Sequence, residues 1–139
     1  MCLIVSLQLW LNLTMAKLDI LIIEDDVITR TMLKALLEDY TKEIRQLANG
    51  RYATKAIDLQ LPDLVLTDLV MPRKDGLQVV EEIKQNHPSL PVYVMSANPD
   101  YIAHAKGLGA DEVFIKPIDM ARLIECIEKL QATPRSSTP

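Results

Sequence analysis

From Leu18 onward the chain alternates between two hydrophobic periods. Short, nearly unbroken apolar runs at residues 20–23 (within LDILII), 64–68 (LVLTD), 92–95 (VYVM) and 112–115 (EVFI) have the length and β-branched content of strands covered on both faces. A weaker strand is predicted over residues 43–48. Between these runs apolar positions recur at helical spacing. Helices are predicted over residues 27–39, with Val27, Met32, Leu33, Leu36 and Leu37 inward, and over 51–60. Three more are predicted: 77–86 with Val79, Val80 and Ile83 inward, 99–106, and 119–130. Breakers sit between the segments: Asn49-Gly50, Pro62, Pro88, Pro91, Gly107 and Gly109. Five strands alternating with five helices imply parallel strands joined by right-handed crossovers, with helices on both faces. The expectation is an α/β domain over residues 17–131 with a five-stranded parallel sheet.

Both ends depart from this pattern. In residues 1–16 every odd position from Leu3 to Leu13 is apolar, a period of two that suits a strand, although Ile4 and Trp10 interrupt the polar face. The segment lacks the basic start and small-residue cleavage site of a secretory signal and is too short and polar to span a bilayer. Met15 offers a second start, so the segment reads either as an extension or as an added edge strand or dimer contact. Residues 132–139, ATPRSSTP, have the composition of a disordered tail.

Length and charge narrow the class. At 139 residues the chain suits one globular domain. A net charge of −4 with scattered Lys and Arg gives no basic stripe for direct nucleic-acid contact. Cys2 and Cys126 have no CxxC or His spacing, which argues against a disulfide framework or zinc site and fits a reducing cytoplasm.

The chemistry collects where the predicted strands end. In an open parallel sheet, ligands bind beyond the carboxyl ends of the strands. Glu24, Asp25 and Asp26 follow the first strand, Asp68 ends the third, Ser96 and Asn98 follow the fourth, and Lys116 follows the fifth. Pro72, which cannot donate a ladder hydrogen bond, stops the chain just after Asp68. Crowded carboxylates repel one another and form a trap for a hard divalent cation, for which Mg²⁺ sharing its shell with phosphate oxygens is the natural occupant. The lysine is a point charge for an anionic partner, and the hydroxyl a hydrogen-bonding group beside it. Taken singly, each has an ordinary role. The acid run serves equally as a helix cap, Lys116 as a solvated strand end, Ser96 as a turn hydroxyl, and Asp75-Gly76 as a turn. Their coincidence at one edge is what a purely structural reading handles badly.

The motifs IIEDD, LTDLVMPRKDG, VMSAN and FIKP, in order, resemble the receiver domain of two-component response regulators over residues 17–130. Asp25 lies 43 residues before Asp68, Asp68 lies 28 before Ser96, and Ser96 lies 20 before Lys116. The resemblance implies a doubly wound flavodoxin-like (βα)5 fold of strand order 2-1-3-4-5. It implies that Asp68 accepts a phosphoryl group from a histidine kinase or histidine phosphotransfer protein. Asp25 and Asp68 would bind Mg²⁺, with Glu24 acting mostly through water, Asp26 less directly, and Val70 lending its backbone carbonyl. Ser96 and Lys116 would contact the phosphoryl group, and Lys116-Pro117 would be a cis junction. Phosphorylation and dephosphorylation would be self-catalysed in a signalling protein rather than an enzyme. Output to a downstream protein, and a dimer, would use the face of the fourth helix, fifth strand and last helix.

One position departs from the pattern. Val113 stands where receivers often place a switching aromatic, and Phe114 should point to the opposite face. A stand-alone receiver acting by protein contacts is the leading expectation, ahead of a receiver belonging to a larger regulator or hybrid kinase. A degenerate receiver is weakened by the intact acid, hydroxyl and lysine set. An aspartate-nucleophile phosphatase of the haloacid dehalogenase type would want an acid where Val70 stands.

Overall fold

The computed structural model describes residues 15–71 and 73–133, together with Leu7. Five parallel strands form one sheet in the order β2-β1-β3-β4-β5. They are β1 Leu18–Ile23, β2 Thr41–Leu47, β3 Leu64–Asp68, β4 Val92–Ser96 and β5 Glu112–Ile115. The helices are α1 Val27–Leu37, α2 Ala53–Leu59, α3 Gly76–Asn86, α4 Pro99–Gly107 and α5 Met120–Ala132. This is the expected flavodoxin-like architecture.

The alternation of side chains along each buried strand builds two cores. On β1, β3 and β4, Leu21, Ile23, Val65, Val92 and Val94 face one side, where α2, α3 and α4 contribute Ile57, Val79, Val80, Ile83 and Ile102. Leu18, Ile20, Ile22, Leu64, Leu66, Tyr93 and Met95 face the other, against Leu33, Leu37, Leu123 and Ile127 of α1 and α5. Because both faces are covered, these strands show no polar alternation.

Short polar side chains start the helices. Asp26, Asp75, Asn98 and Asp119 each accept a backbone N–H of the first turn of α1, α3, α4 and α5. Their carboxylates and amide thereby satisfy donors that would otherwise lack a partner at the edge where the site lies.

Several details differ from expectation. Of the five residues expected on the inner face of α1, Leu33 and Leu37 are buried and Leu36 partly so, whereas Val27 and Met32 are exposed. At about 100° per residue, Val27 and Met32 lie roughly 120° and 100° around the helix from Leu33, outside the stripe that meets the sheet. The helix expected over 51–60 is a 3₁₀ turn at Gly50–Tyr52 followed by the shorter α2. Residues 38–40 leave α1 as a separate 3₁₀ turn. Gly109, at φ 103°, takes the left-handed position after α4, whereas Gly107 remains within the helix. At the N-terminus Leu7 is helical rather than extended, and the rest of the strand reading there lies outside the described residues. So does the tail reading beyond residue 133. No helix among the described residues is long and apolar enough to cross a membrane.

Candidate functional site

Pairing of β1 with β3 sets Ile23 opposite Thr67, so the next residues of the two segments, Glu24 and Asp68, emerge side by side at the carboxyl edge. Glu24 is fully buried. Its N–H donates to Leu47 O at 3.0 Å, its Oε1 accepts the Asp26 N–H at 3.1 Å, and its carbonyl accepts Arg30 Nη1 at 2.6 Å. Asp68, 4% exposed, has both oxygens engaged. Oδ1 accepts the Val70 N–H at 3.1 Å and Oδ2 accepts Lys116 Nζ at 2.8 Å. Lys116 also donates to Glu24 Oε2 at 3.3 Å. The lysine reaches both acids because β5 ends beside β4, where its N–H donates to Ser96 O at 3.0 Å. The Lys116–Pro117 peptide is cis, as the resemblance implies.

Glu24, Asp25 and Asp68 each offer an oxygen such that all three lie within 4.8 Å of one another. Glu24 and Asp68 are buried and Asp25 is exposed at the mouth. Burial, with the Asp68 charge adding to it, pushes the Glu24 carboxyl up to about 7. Burial opposes the charge on Lys116, but the hydrogen bond and charge of Asp68, helped by Glu24, outweigh it and raise the ammonium above its ordinary value. Three carboxylates facing one ammonium leave surplus negative charge in a partly desolvated pocket, and all their donors are oxygen. That set fits a hard divalent cation. Asp26 takes no part in the group. Its carboxylate caps α1 and is held below the usual range by the side-chain and backbone hydrogen bonds of Thr29.

Beyond Asp68 opens a cleft of about 470 Å³ lined by Val70, Ser96, Ala97, Asn98, Pro99 and Lys116 as well as Asp68 itself. Ser96 is buried at the end of β4, and its Oγ accepts the Asn98 N–H at 3.1 Å. The structure therefore brings together Glu24, Asp25, Asp68, Ser96, Lys116 and the backbone of Val70.

Two neighbours of the site were not legible as such. Asp75-Gly76, read as a turn, is the start of α3 packed against the strand that ends in Asp68. A Cβ on Gly76 would lie 2.4 Å from Leu69 Cα and 2.5 Å from Asp68 O. The only signal was the Asp-Gly pair seven and eight residues after Asp68. Arg30, which holds the Glu24 carbonyl, gave no signal beyond lying in α1. Opposite, Val113 is half-buried against the core under α3 and α4, and Phe114 points to the other face as expected, 6.0 Å from Tyr93 between ring centroids.

A parallel sheet of this order with acids, hydroxyl and lysine at its carboxyl edge defines the receiver class of signalling domain. The family model for the response regulator receiver domain matches residues 20–128, and the chain belongs to that family. It is 35% identical over 123 residues to the transcriptional regulatory protein ZraR of Salmonella typhimurium, covering 87% of this chain and 28% of that protein. Its identity to the chemotaxis protein CheY of Listeria monocytogenes is 34% over 115 residues, covering 81% of this chain and 97% of that one. The receiver domain of NtrX from Brucella abortus superposes with a TM-score of 0.76 at 34% identity, covering 84% of this chain and all of that one. This chain thus spans little more than a quarter of the ZraR relative and nearly all of the chemotaxis one.

Proposed function

We propose that this receiver takes a phosphoryl group onto Asp68 from a phosphohistidine on a histidine kinase or histidine phosphotransfer protein. The carrying observation is the Asp68 carboxylate itself, with Lys116 at 2.8 Å, Glu24 and Asp25 alongside, and an open cleft leading to Ser96. In the transfer an Asp68 oxygen attacks phosphorus, the P–O bond forms as the P–N bond to the donor imidazole breaks, and an acyl phosphate results. Such transfers depend on in-line positioning and charge neutralisation. Lys116, already hydrogen-bonded to the nucleophile, meets the new negative charge. Ser96 Oγ would exchange its Asn98 hydrogen bond for one to a phosphoryl oxygen, drawing the loop at Ala97 inward.

Asp25, Asp68, Glu24 and the Val70 carbonyl are the groups that would hold Mg²⁺, which when bound supplies charge compensation to the phosphoryl oxygens. Water attacking the acyl phosphate releases inorganic phosphate and restores Asp68. With Val113 in place of an aromatic, the response passes through the Ser96 loop into α4 and β5, and the face of α4, β5 and α5 is where a downstream protein, or a second copy, would distinguish the two states. Its effect is bounded by the difference in affinity for them. The N-terminal extension is a second proposed dimer contact. The reading is tested by incubating the chain with Mg²⁺ and acetyl phosphate. The expected result is an acid-stable, base-labile phosphoryl adduct on the native chain and none on Asp68→Asn.

A further inference from the structure

The chain between β3 and α3 leaves and returns to one point. Leu69 N donates to Met95 O, and Gly76 N donates back to Leu69 O, both at 3.0 Å. The loop pinned in this way contains Val70, whose N–H holds Asp68 Oδ1 at 3.1 Å. It also contains Arg73, which carries a β-carbon yet sits at φ 74°. Residues with a β-carbon take that left-handed conformation only where their surroundings hold them in it.

The next residue is tied to the helices behind the loop. Half-buried Lys74 places Nζ 2.6 Å from Glu82 Oε2 on α3, and the same oxygen accepts Thr54 Oγ1 of α2 at 3.0 Å. One carboxylate therefore ties the loop to two helices. The Lys74 hydrogen bond is the main influence keeping the Glu82 carboxyl below its ordinary range.

We infer that the Lys74–Glu82–Thr54 network is a positioning device for the nucleophile. It holds the loop so that the Val70 N–H fixes one Asp68 oxygen while Lys116 fixes the other. No hydrogen bond or ion pair joins these three residues to Asp68, so their effect on it passes through the loop that carries Val70. The inference rests on Asp68 being the phosphoacceptor, but its geometric half does not.

The test uses the full chain and the variants Lys74→Met and Glu82→Gln. The amide resonance and hydrogen exchange of Val70 are followed without metal, and the rate of Asp68 phosphorylation is followed with acetyl phosphate at saturating Mg²⁺. Both variants are expected to shift the Val70 amide, speed its exchange and slow phosphorylation about fivefold or more, the scale of coupling within a contacting pair. The double variant should be no slower than the worse single one. Thr54→Val, which removes one hydroxyl, serves if either charge variant fails to fold and should move the same signals less. A lowered unfolding midpoint with an unchanged Val70 amide and unchanged rate would mean an ordinary structural ion pair and would overturn the inference. A native chain that takes no phosphoryl group would instead remove the phosphoacceptor reading, while the metal-free amide signal would still decide whether the network positions Val70.

Discussion

Glu24 and Asp68, set side by side by adjacent parallel strands, share the ammonium of Lys116 at 3.3 and 2.8 Å. Removing that ammonium leaves two buried carboxylates facing each other. Lys116→Ala should therefore lower metal-free stability at neutral pH by about 1–3 kcal/mol, less than a fully buried pair would lose because the lysine is partly exposed. The fold and Mg²⁺ binding should persist while the response to acetyl phosphate is lost. Urea unfolding with and without Mg²⁺, beside a phosphorylation assay, checks this.

The acid group should make stability depend on Mg²⁺. Binding to the folded chain alone stabilises it by about 1.4 kcal/mol at ten times the dissociation constant. Asp25→Asn and Glu24→Gln should each reduce the rise in unfolding midpoint across a Mg²⁺ titration, and addition of a chelator should reverse the rise in the native chain.

Glycines at two positions should respond in opposite directions. Gly76→Ala forces a β-carbon onto the backbone of Leu69 and Asp68 and is expected to cost about 1–3 kcal/mol and disturb the site. Gly107→Ala, in α4 with nothing within 4 Å of the added carbon, should stabilise by about 0.4–1 kcal/mol. Denaturant midpoints of the two variants, measured together, test both signs.

Glu82 gives a pH dependence of defined sign. Its carboxyl is held below 4.5 in the folded chain by Lys74 and Thr54. A depressed folded value means the stabilisation is present above the unfolded value and disappears as pH falls through the folded one. Glu82→Gln should cost about 1 kcal/mol or less at pH 7, since the pair is partly exposed, and the difference from the native chain should shrink progressively as pH falls below the ordinary carboxyl value and through the lower folded one. Parallel thermal unfolding of the two chains across that range shows whether it does.

What was legible in the sequence follows from how local each signal is. The runs 64–68 and 112–115 match β3 and β5 residue for residue: β3 is buried along its whole length, and β5, an edge strand with Ile115 exposed, is bracketed by Gly109 and Pro117. The carboxyl-edge set could be listed once the strand ends were placed, since parallel order alone puts Glu24, Asp68, Ser96 and Lys116 on one rim. The buried stripe of α1 was harder. Val27, Leu33 and Leu37 are all apolar, and only the angle of the helix on the sheet decides that Val27 faces outward. The tie from Lys74 to Glu82 could not be read at all, because Lys74 lies in the irregular loop ahead of α3, eight positions before Glu82, and no periodicity links a loop lysine to a helical acid. Gly76 was visible as a residue but not as a contact, since close packing against Leu69 depends on the path of a loop with no repeating pattern.

The most direct measurement is intact-protein mass spectrometry of the chain after incubation with Mg²⁺ and acetyl phosphate, in parallel with Asp68→Asn. The account predicts one added phosphoryl group on the native chain, mapped to Asp68 and missing when Mg²⁺ is withheld. An unmodified native chain, or equal labelling of Asp68→Asn, would contradict it.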